Sequence, residues 1–193
     1  LDLRAPRGRE VLLRLLREAD VFVENYRPGA LAALGLGYAE VAREAPSLIY
    51  CSLSAFGQEG PRREQTAYDF QIQATSGLMA ATGTPEVNPI KVGPPVVDYG
   101  TGTMCAFALV AALFQRTRTG CGQHIDMALL DTQVSWLANE GLNYLVSGKT
   151  PTRQGNAHPN IVPYDVFACA DGFVILAIGN DGQFAKFCAF AGR

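Results

Sequence analysis

The chain has 193 residues, of which 48% are hydrophobic and 18% charged, and its formal net charge is −2. This composition is too apolar for a disordered chain, and the slight negative charge provides no electrostatic footprint for nucleic acid or an anionic membrane surface. The length allows one or two domains with a buried core. Five cysteines without a CxxC spacing favour reduced thiols over a disulfide scaffold.

The two ends of the chain indicate a part of a longer protein. The chain opens at Leu1 without a methionine and stops at Arg193 without a closing element. Near its start the chain lacks the charged segment followed by an apolar segment that is typical of a secretory signal. The longest apolar run, 104–114, is shorter than the roughly 20 residues that a bilayer span requires. We therefore expect a cytoplasmic protein with no membrane partner.

The first part of the chain alternates between helical and strand patterns, which is typical of an α/β fold with a parallel sheet. Short loops join these elements, and a Pro-Gly pair marks the loop after the first strand. The predicted elements are a helix over 7–19, a strand over 21–23, a helix over 38–44 and a strand over 48–53.

The middle of the chain is predominantly helical by pattern. A helix is predicted over 68–81 and another over 126–146. Between them, Thr101 is predicted to cap a helix that runs to about residue 117. Because residues 104–114 are apolar on every side of this helix, we expect it to be buried.

These patterns predict a Rossmann-like α/β large domain with a parallel sheet over 1–148. A segment rich in proline and glycine, 149–163, is the predicted linker. The start of a smaller α+β domain is predicted over 164–193. Two strand patterns joined at Asp171-Gly172 open this smaller domain and predict a β-hairpin.

Common nucleotide and metal motifs are incomplete in this chain. The sequence Gly148-Lys149-Thr150 lacks the earlier glycine that a P-loop needs at position 143. The two histidines, His124 and His158, have no further Cys or His at ligand spacing, so no metal site is expected.

The segment 92–102 is the most unusual part of the sequence. A proline-rich apolar lead delivers Asp98 to a turn with Gly100 and Gly102, directly before the predicted buried helix. The partial positive charge of a helix N-terminus keeps a nearby carboxylate ionised, and the glycines allow a ligand to approach the backbone. Such a carboxylate can act as a nucleophile on a carbonyl carbon. The alternative is that Asp98 only caps the helix, which the local pattern by itself favours.

Short motif blocks extend in a fixed order over nearly the whole chain. Their order and spacing resemble those of the class III CoA-transferases (CaiB/BaiF family), which include formyl-CoA transferase, carnitine CoA-transferases and α-methylacyl-CoA racemases. The blocks lie at 1–3, 8–10, 19–29, 34–37, 68–69, 76–77, 82–83, 92–102, 118–126, 155–156, 163–164 and 171–172.

The resemblance implies that Asp98 attacks the thioester of an acyl-CoA donor. A mixed anhydride and then an aspartyl-CoA thioester would form, and a carboxylic acid acceptor would take over the CoA. Coenzyme A is then a substrate, and no permanently bound cofactor is implied. The implied partners are an acyl-CoA and a small carboxylic acid, and the family's subunits form interlocked homodimers.

The resemblance also implies contacts with CoA and with the reacting centre. Turn chemistry is the alternative for Pro28 and Gly29 of the 25–29 loop, solvation for Arg4, and core packing for Tyr68. A helix N-terminus is the alternative for the 179–183 loop. The implied CoA or substrate contacts are Arg4, Asn25, Tyr26, Ala30, Leu34, Thr66 and Tyr68. The implied active-site loop consists of Gly179, Asn180, Asp181, Gly182 and Gln183.

Two other functions stay open beside CoA transfer. The racemases carry a histidine at the position of Tyr68, and tyrosine, with an ordinary pKa near 10, is a poor base at neutral pH, so a transferase is expected. A CoA-binding homologue without turnover is the second alternative. Formyl-CoA transferases carry basic residues at the positions of Ala33 and Thr66. A different acceptor or a different grip on CoA is therefore expected.

Overall fold

The computed structural model describes residues 1–192, which divide into two compact units. The first unit consists of Leu1–Leu78 and Lys91–Ala138, and the second of Met79–Ile90 and the chain from Asn139 onward. The second unit thus takes in segments that the sequence assigned to the large domain. Because these units reflect contacts within this chain alone, the domain limits at 148 and 164 stay a prediction.

The first unit contains a parallel three-stranded sheet whose strands lie side by side in chain order, which confirms the predicted α/β architecture. Val21 lies opposite Ile49, and Tyr50 lies opposite His124. Parallel neighbours require crossover connections, which helices provide between consecutive strands. The strands are β1 (Val21–Glu24), β2 (Ile49–Ser54) and β3 (His124–Ala128).

Eight α-helices occur among the described residues, together with a short 3-10 helix at Ala32–Leu34. The predicted helix over 38–44 is confirmed, whereas the helix predicted over 68–81 is broken at Gly77, where φ is +95°. The α-helices are α1 (Pro6–Leu16), α2 (Tyr38–Glu44), α3 (Asp69–Thr75), α4 (Leu78–Ala81), α5 (Val96–Thr119), α6 (Leu129–Ser135), α7 (Ala138–Ser147) and α8 (Asp181–Phe190).

The prediction of one helical region over 126–146 is wrong at its start. His124–Ala128 is β3, and helix α6 begins only at Leu129. The strand forms because its backbone pairs with β2 from Tyr50 to Ser54, a long-range contact that a local helical pattern does not reveal.

Two buried clusters form the core of the first unit. Residues from α1, α2, β2 and the loops beside them form the larger cluster, which includes Leu16, Leu36, Val41 and Tyr50. The smaller cluster joins Ala55, Ile72 and Val97, and therefore ties the end of β2, helix α3 and the first turn of α5 together.

Helix α5 differs from its prediction at its start and in its burial. It begins at Val96, so Thr101 does not cap it but lies buried inside it, donating its hydroxyl to the Val97 carbonyl at 2.7 Å. One side of the helix packs on β2, β3 and α6. The opposite side leaves Tyr99 and Phe107 72% exposed each, because no described element of the first unit covers it.

Helix α5 is also the one helix among residues 1–192 that is long and apolar enough to cross a membrane, with a mean hydropathy of 1.5 over its most apolar window. The core helix of a soluble protein meets the same criterion. Its first turn carries Asp98 and its last turn Arg116 and Arg118.

The second unit contains the predicted hairpin, formed by β4 (Tyr164–Cys169) and β5 (Gly172–Ala177). Cys169 lies opposite Gly172, so the turn residues are Ala170 and Asp171 rather than Asp171-Gly172. Helix α8 follows the hairpin.

Candidate active site

A cavity of about 590 Å³ lies in the first unit at the carboxyl ends of the parallel strands. In open α/β sheets this edge is the usual place for a ligand. Five segments line the cavity: the loop after β1, the end of β2, the residues from Gln65 to Gln71, the first turns of α5 and the start of α6. The lining residues are Asn25, Tyr26, Arg27, Pro28, Leu53, Ser54, Ala55, Gln65, Thr66, Ala67, Tyr68, Gln71, Asp98, Thr101, Gly102 and Leu129.

Asp98 lies in the first turn of α5 and its side chain is exposed to this cavity. Within residues 1–192, no hydrogen bond or ion pair engages its carboxylate. The helix N-terminus favours an anion at this place. The carboxylate therefore meets the first requirement of a nucleophile, an unengaged lone pair that faces a space for substrate.

The carboxylate that caps α5 belongs to Asp69, which lies in the first turn of α3. Asp69 Oδ2 accepts a hydrogen bond from the Val97 amide at 2.8 Å and from the Asp98 amide at 3.3 Å. Asp69 is only 9% exposed. Buried carboxylates require such partners, because a buried charge without hydrogen bonds costs on the order of several kcal/mol. The alternative function of Asp98 as the helix cap is thus taken by a different residue.

Gln73 extends this hydrogen-bonded chain toward the segment that leads into α5. Its Nε2 donates to Asp69 Oδ1 at 2.5 Å, and its Oε1 accepts from the Val92 amide at 2.9 Å. Gln73 is completely buried. One turn of α3 therefore holds the backbone before and after the start of α5.

Two causes raise the pKa of the Asp98 carboxyl above its ordinary value. The larger is partial removal from water by the cavity walls, and the smaller is the negative charge of Asp69. Both favour the protonated form. A carboxylate with a raised pKa is also a stronger nucleophile than an ordinary one when it is ionised.

The two glycines near Asp98 have different surroundings. A Cβ at Gly100 would lie 2.7 Å from Trp136 Cη2, so this glycine admits the indole ring rather than a ligand, and the expectation for it is wrong. A Cβ at Gly102 would meet nothing within 4 Å. Gly102 lines the cavity and leaves the backbone of α5 open to it.

The structure brings five of the residues singled out from the sequence to one cavity. Asn25 and Tyr26 follow β1, while Thr66 and Tyr68 precede α3, and all four face the space beside Asp98. Tyr68 is 82% exposed, so it is not a core aromatic in this chain.

Three other residues singled out from the sequence do not line this cavity. Leu34 packs against the larger buried cluster, and Ala30 lies in the turn before it. Arg4 is exposed, and its amide donates to Asp2. A contact of these residues with CoA outside the cavity stays a prediction.

The 179–183 segment belongs to the second unit and begins helix α8. Asn180 Oδ1 accepts from the Gln183 amide at 2.9 Å, and Gln183 Oε1 accepts from the Gly179 amide at 2.8 Å. These bonds account for the segment as a helix N-terminus. Its function as an active-site loop stays a prediction.

Several cavity residues were not identified from the sequence, including Ser54, Gln65 and Gln71. Nothing in the local pattern marks them, because they meet only when the strand ends are brought together. The capping function of Asp69 was also missed. An acidic residue in a first turn usually serves its own helix, whereas Asp69 serves a helix that begins 27 residues later.

Comparison with known proteins relates this site to a family. The profile of CoA-transferase family III matches residues 1–193. The chain is 50% identical over 191 residues to the succinate–glutarate CoA-transferase of Agrobacterium fabrum, covering 99% of this chain and 48% of that protein. It is 41% identical over 188 residues to the human succinyl-CoA:glutarate CoA-transferase, covering 97% of this chain and 43% of that protein.

A solved structure shows the same fold. The CaiB/BaiF family protein from Brucella suis superposes with a TM-score of 0.82 at 49% identity, covering 99% of this chain and 50% of that one. The chain thus spans about half the length of the curated relatives and of this solved structure. Profile, relatives and fold agree over the whole described length, so the chain belongs to CoA-transferase family III.

Proposed function

We propose that the protein containing this chain transfers CoA from an acyl-CoA to a carboxylic acid, with Asp98 as the nucleophile. One observation carries the proposal: the Asp98 carboxylate is unengaged and faces a cavity at the carboxyl edge of the sheet. Membership of CoA-transferase family III supports it.

The proposed reaction passes through four acyl transfers. An Asp98 oxygen attacks the thioester carbon of the donor, the C–S bond breaks, and a mixed anhydride and CoA thiolate form. The thiolate attacks the aspartyl carbonyl of the anhydride, releasing the donor acid and leaving an aspartyl-CoA thioester. The acceptor carboxylate displaces the thiolate from the aspartyl-CoA thioester and forms a new anhydride. The thiolate then attacks the acceptor's carbonyl carbon in that anhydride, which releases the acceptor's CoA thioester and restores the Asp98 carboxylate.

The cavity has room and charge for such substrates. Its volume of about 590 Å³ lies within the usual range of small-molecule sites. Arg27 is the one cationic side chain among the residues that line it. It provides a counter-charge for an anionic substrate, and Asn25, Gln65 and Thr66 provide neutral hydrogen-bonding groups.

We further propose that the acids are short dicarboxylates. The support comes from the relatives named above, whose names specify succinate and glutarate. A homodimer, implied by the resemblance, and a cytoplasmic location, expected from the sequence, remain predictions for the full-length protein.

The test is covalent trapping in the full-length protein. Succinyl-CoA and hydroxylamine are added, and peptide mass spectrometry locates the adduct, while transfer of CoA to labelled glutarate is followed in parallel. We expect an adduct at Asp98, and we expect Asp98→Asn to lower transfer by about 10³-fold or more. Asp131→Asn, an exposed first-turn aspartate of α6, is the matched control.

Two results would contradict this function. Wild-type transfer by Asp98→Asn would exclude Asp98 as the nucleophile. Exchange of the α-proton with solvent, without transfer and without an adduct, would assign the protein to the racemases instead. Acetate and oxalate, tested beside glutarate, show whether the preference for short dicarboxylates holds.

A further inference from the structure

Two aspartates lie at the start of α5, and only one of them is engaged. Asp69 accepts hydrogen bonds from the Val97 and Asp98 amides, whereas the Asp98 carboxylate accepts none among residues 1–192. A helix N-terminus has unsatisfied amides that draw a nearby carboxylate. Without Asp69, those amides have the carboxylate of Asp98 as a local acceptor, because Asp98 is the acidic residue in the first turn of α5.

We propose that Asp69 is a positioning residue for the reaction: its buried carboxylate caps α5 in place of Asp98 and so keeps the Asp98 carboxylate free and directed into the cavity. This inference rests on the proposed function of Asp98. It assigns the two carboxylates different tasks, one fixed to the backbone and one left to react.

The surroundings of Asp69 suit this task. No cation pairs with it among the described residues, so its charge is balanced by N–H groups alone: two amides of α5 and the Gln73 side chain. Charge-assisted hydrogen bonds of this kind are about twice as strong as neutral ones. The first turn of α5 is therefore held where the nucleophile begins.

The polarity of the Gln73 amide makes the arrangement sensitive to substitution. Its –NH2 faces Asp69 and its carbonyl oxygen faces the Val92 amide. In Asp69→Asn, the new oxygen can still accept from Val97, but the new –NH2 faces that of Gln73. Two donors then meet in a buried place, and one hydrogen bond of the chain must break.

A second substitution restores the match. In the double variant Asp69→Asn/Gln73→Glu, the new carboxylate accepts from the new amide and from the Val92 amide. The hydrogen-bonded chain is then complete again, with the negative charge moved one turn along α3. The pair of variants thus separates the loss of the carboxylate at Asp69 from the loss of the chain.

The experiment uses the full-length protein with succinyl-CoA and glutarate. For Asp69→Asn we expect kcat to fall about 10- to 100-fold, because the nucleophile is no longer held in register, with KM for succinyl-CoA changed less than about twofold. The double variant is expected to regain at least about half of the lost activity on a logarithmic scale. Asp131→Asn again serves as control.

The pH profile adds a second readout, which reports whether the charge of Asp69 acts on the Asp98 carboxylate. Removing the charge at Asp69 lowers the pKa of Asp98, so the acid limb of kcat/KM moves to lower pH in Asp69→Asn. The other titratable groups that line the cavity are Tyr26, Arg27 and Tyr68.

Three results would overturn the inference. Asp69→Asn could retain the wild-type kcat and acid limb. The double variant could regain thermal stability without regaining kcat. Both variants could fail to fold, which would make Asp69 a residue for folding rather than positioning. If the wild type itself forms no adduct at Asp98, the proposed function fails instead, and the two failures are distinct.

Discussion

The amide of Asp98 donates its hydrogen bond to the carboxylate of Asp69, at 3.3 Å, and the carboxylate of Asp98 itself caps nothing in the described chain. An aspartate at a helix start is ordinarily a cap. Here the cap comes from another helix, so the Asp98 carboxylate stays exposed to the cavity. This arrangement has a cost in stability, because two carboxylates share one helix N-terminus.

Asp98→Asn is expected to stabilise the folded protein at neutral pH while abolishing transfer. The pKa of Asp98 is raised in the folded state, chiefly by partial removal from water and then by Asp69, so the native state binds this proton more tightly than the unfolded state. The free energy of unfolding therefore falls as pH rises from the ordinary value of the carboxyl to the raised one.

The neutral amide removes this loss. We expect Tm at pH 7 to rise by about 1 °C, a small change because water screens the exposed side chain. Below the ordinary pKa of aspartate the difference from wild type should vanish. Thermal melts at several pH values measure this, and a melting curve lower than that of wild type at pH 7 contradicts it.

The sequence predicted the α/β sheet and singled out Asp98, but it did not predict what surrounds them. The first two strands follow from alternating helical and strand patterns. Asp98 was singled out by a proline-rich lead and two glycines, while its role as nucleophile was implied only by the resemblance to CoA-transferases. Strand β3 was missed because its pairing with β2 depends on residues 74 positions away. The same distance effect hid the cap by Asp69.

The burial of α5 shows a second limit of sequence patterns. Residues 104–114 are apolar around the whole helix. This pattern indicates how much helix surface is apolar, but not which other elements of the protein bury it. In the described chain, β2, β3 and α6 cover one side, and Phe107 and Val110 remain exposed on the other. Likewise, two similar glycines near Asp98 turned out to face an indole ring and an open cavity.

Those two glycines provide a matched pair of variants. Gly100→Ala places a methyl group 2.7 Å from Trp136 Cη2, and we expect a loss of about 1–3 kcal/mol in stability from overpacking. Gly102→Ala meets no atom within 4 Å, so the better helix propensity of alanine should raise stability by up to about 1 kcal/mol.

For substrate binding we expect the opposite order, with the larger effect in Gly102→Ala. The methyl group of Gly102→Ala enters the cavity and is expected to raise KM for the acyl-CoA several-fold, because Gly102 is part of its lining. Chemical denaturation and steady-state kinetics of both variants test this pair. Equal losses of stability in the two variants would show that the indole contact is not the cause.

The thiols of Cys51 and Cys105 are expected to resist alkylation in the folded protein. Their sulfurs lie 3.4 Å apart between β2 and α5, and both residues are buried. Burial, with a smaller effect of Cys105, raises the pKa of Cys51 to about 12, so almost no reactive thiolate exists at neutral pH.

Iodoacetamide labelling with mass spectrometry checks this expectation. Cys121 is exposed and should react in the native state, whereas Cys51 and Cys105 should react only after unfolding in guanidinium. Labelling of Cys51 at the rate of Cys121 in the native protein would mean that the sheet opens against α5 far more often than its packing suggests.

We expect the contacts of Arg116 to stabilise the C-terminal end of α5 more than an ordinary surface ion pair would. The Arg116 guanidinium lies 2.6 Å from the Asp20 carboxylate and also donates to the carbonyls of Asp20 and Ser47, at 3.2 and 3.1 Å. These carbonyls precede β1 and β2, so one side chain ties α5 to both strand starts. Its side chain is only 21% exposed.

The pair Arg17–Glu44 is the control, since its distance is 2.5 Å but both side chains are about half exposed, at 52% and 49%. Exposed pairs of this kind contribute less than about 1 kcal/mol, whereas a guanidinium with two backbone acceptors contributes about 1–2 kcal/mol.

We therefore expect Arg116→Ala to lower the free energy of unfolding more than Arg17→Ala does. Arg116→Lys should recover only part of the loss, because an ammonium lacks the planar fork of donors. Urea unfolding of the three variants decides the order, and 0.5 M salt should weaken the Arg17 pair more than the Arg116 contacts. Equal losses for the two alanine variants would mean that the backbone acceptors of Asp20 and Ser47 are satisfied by water when the guanidinium is removed.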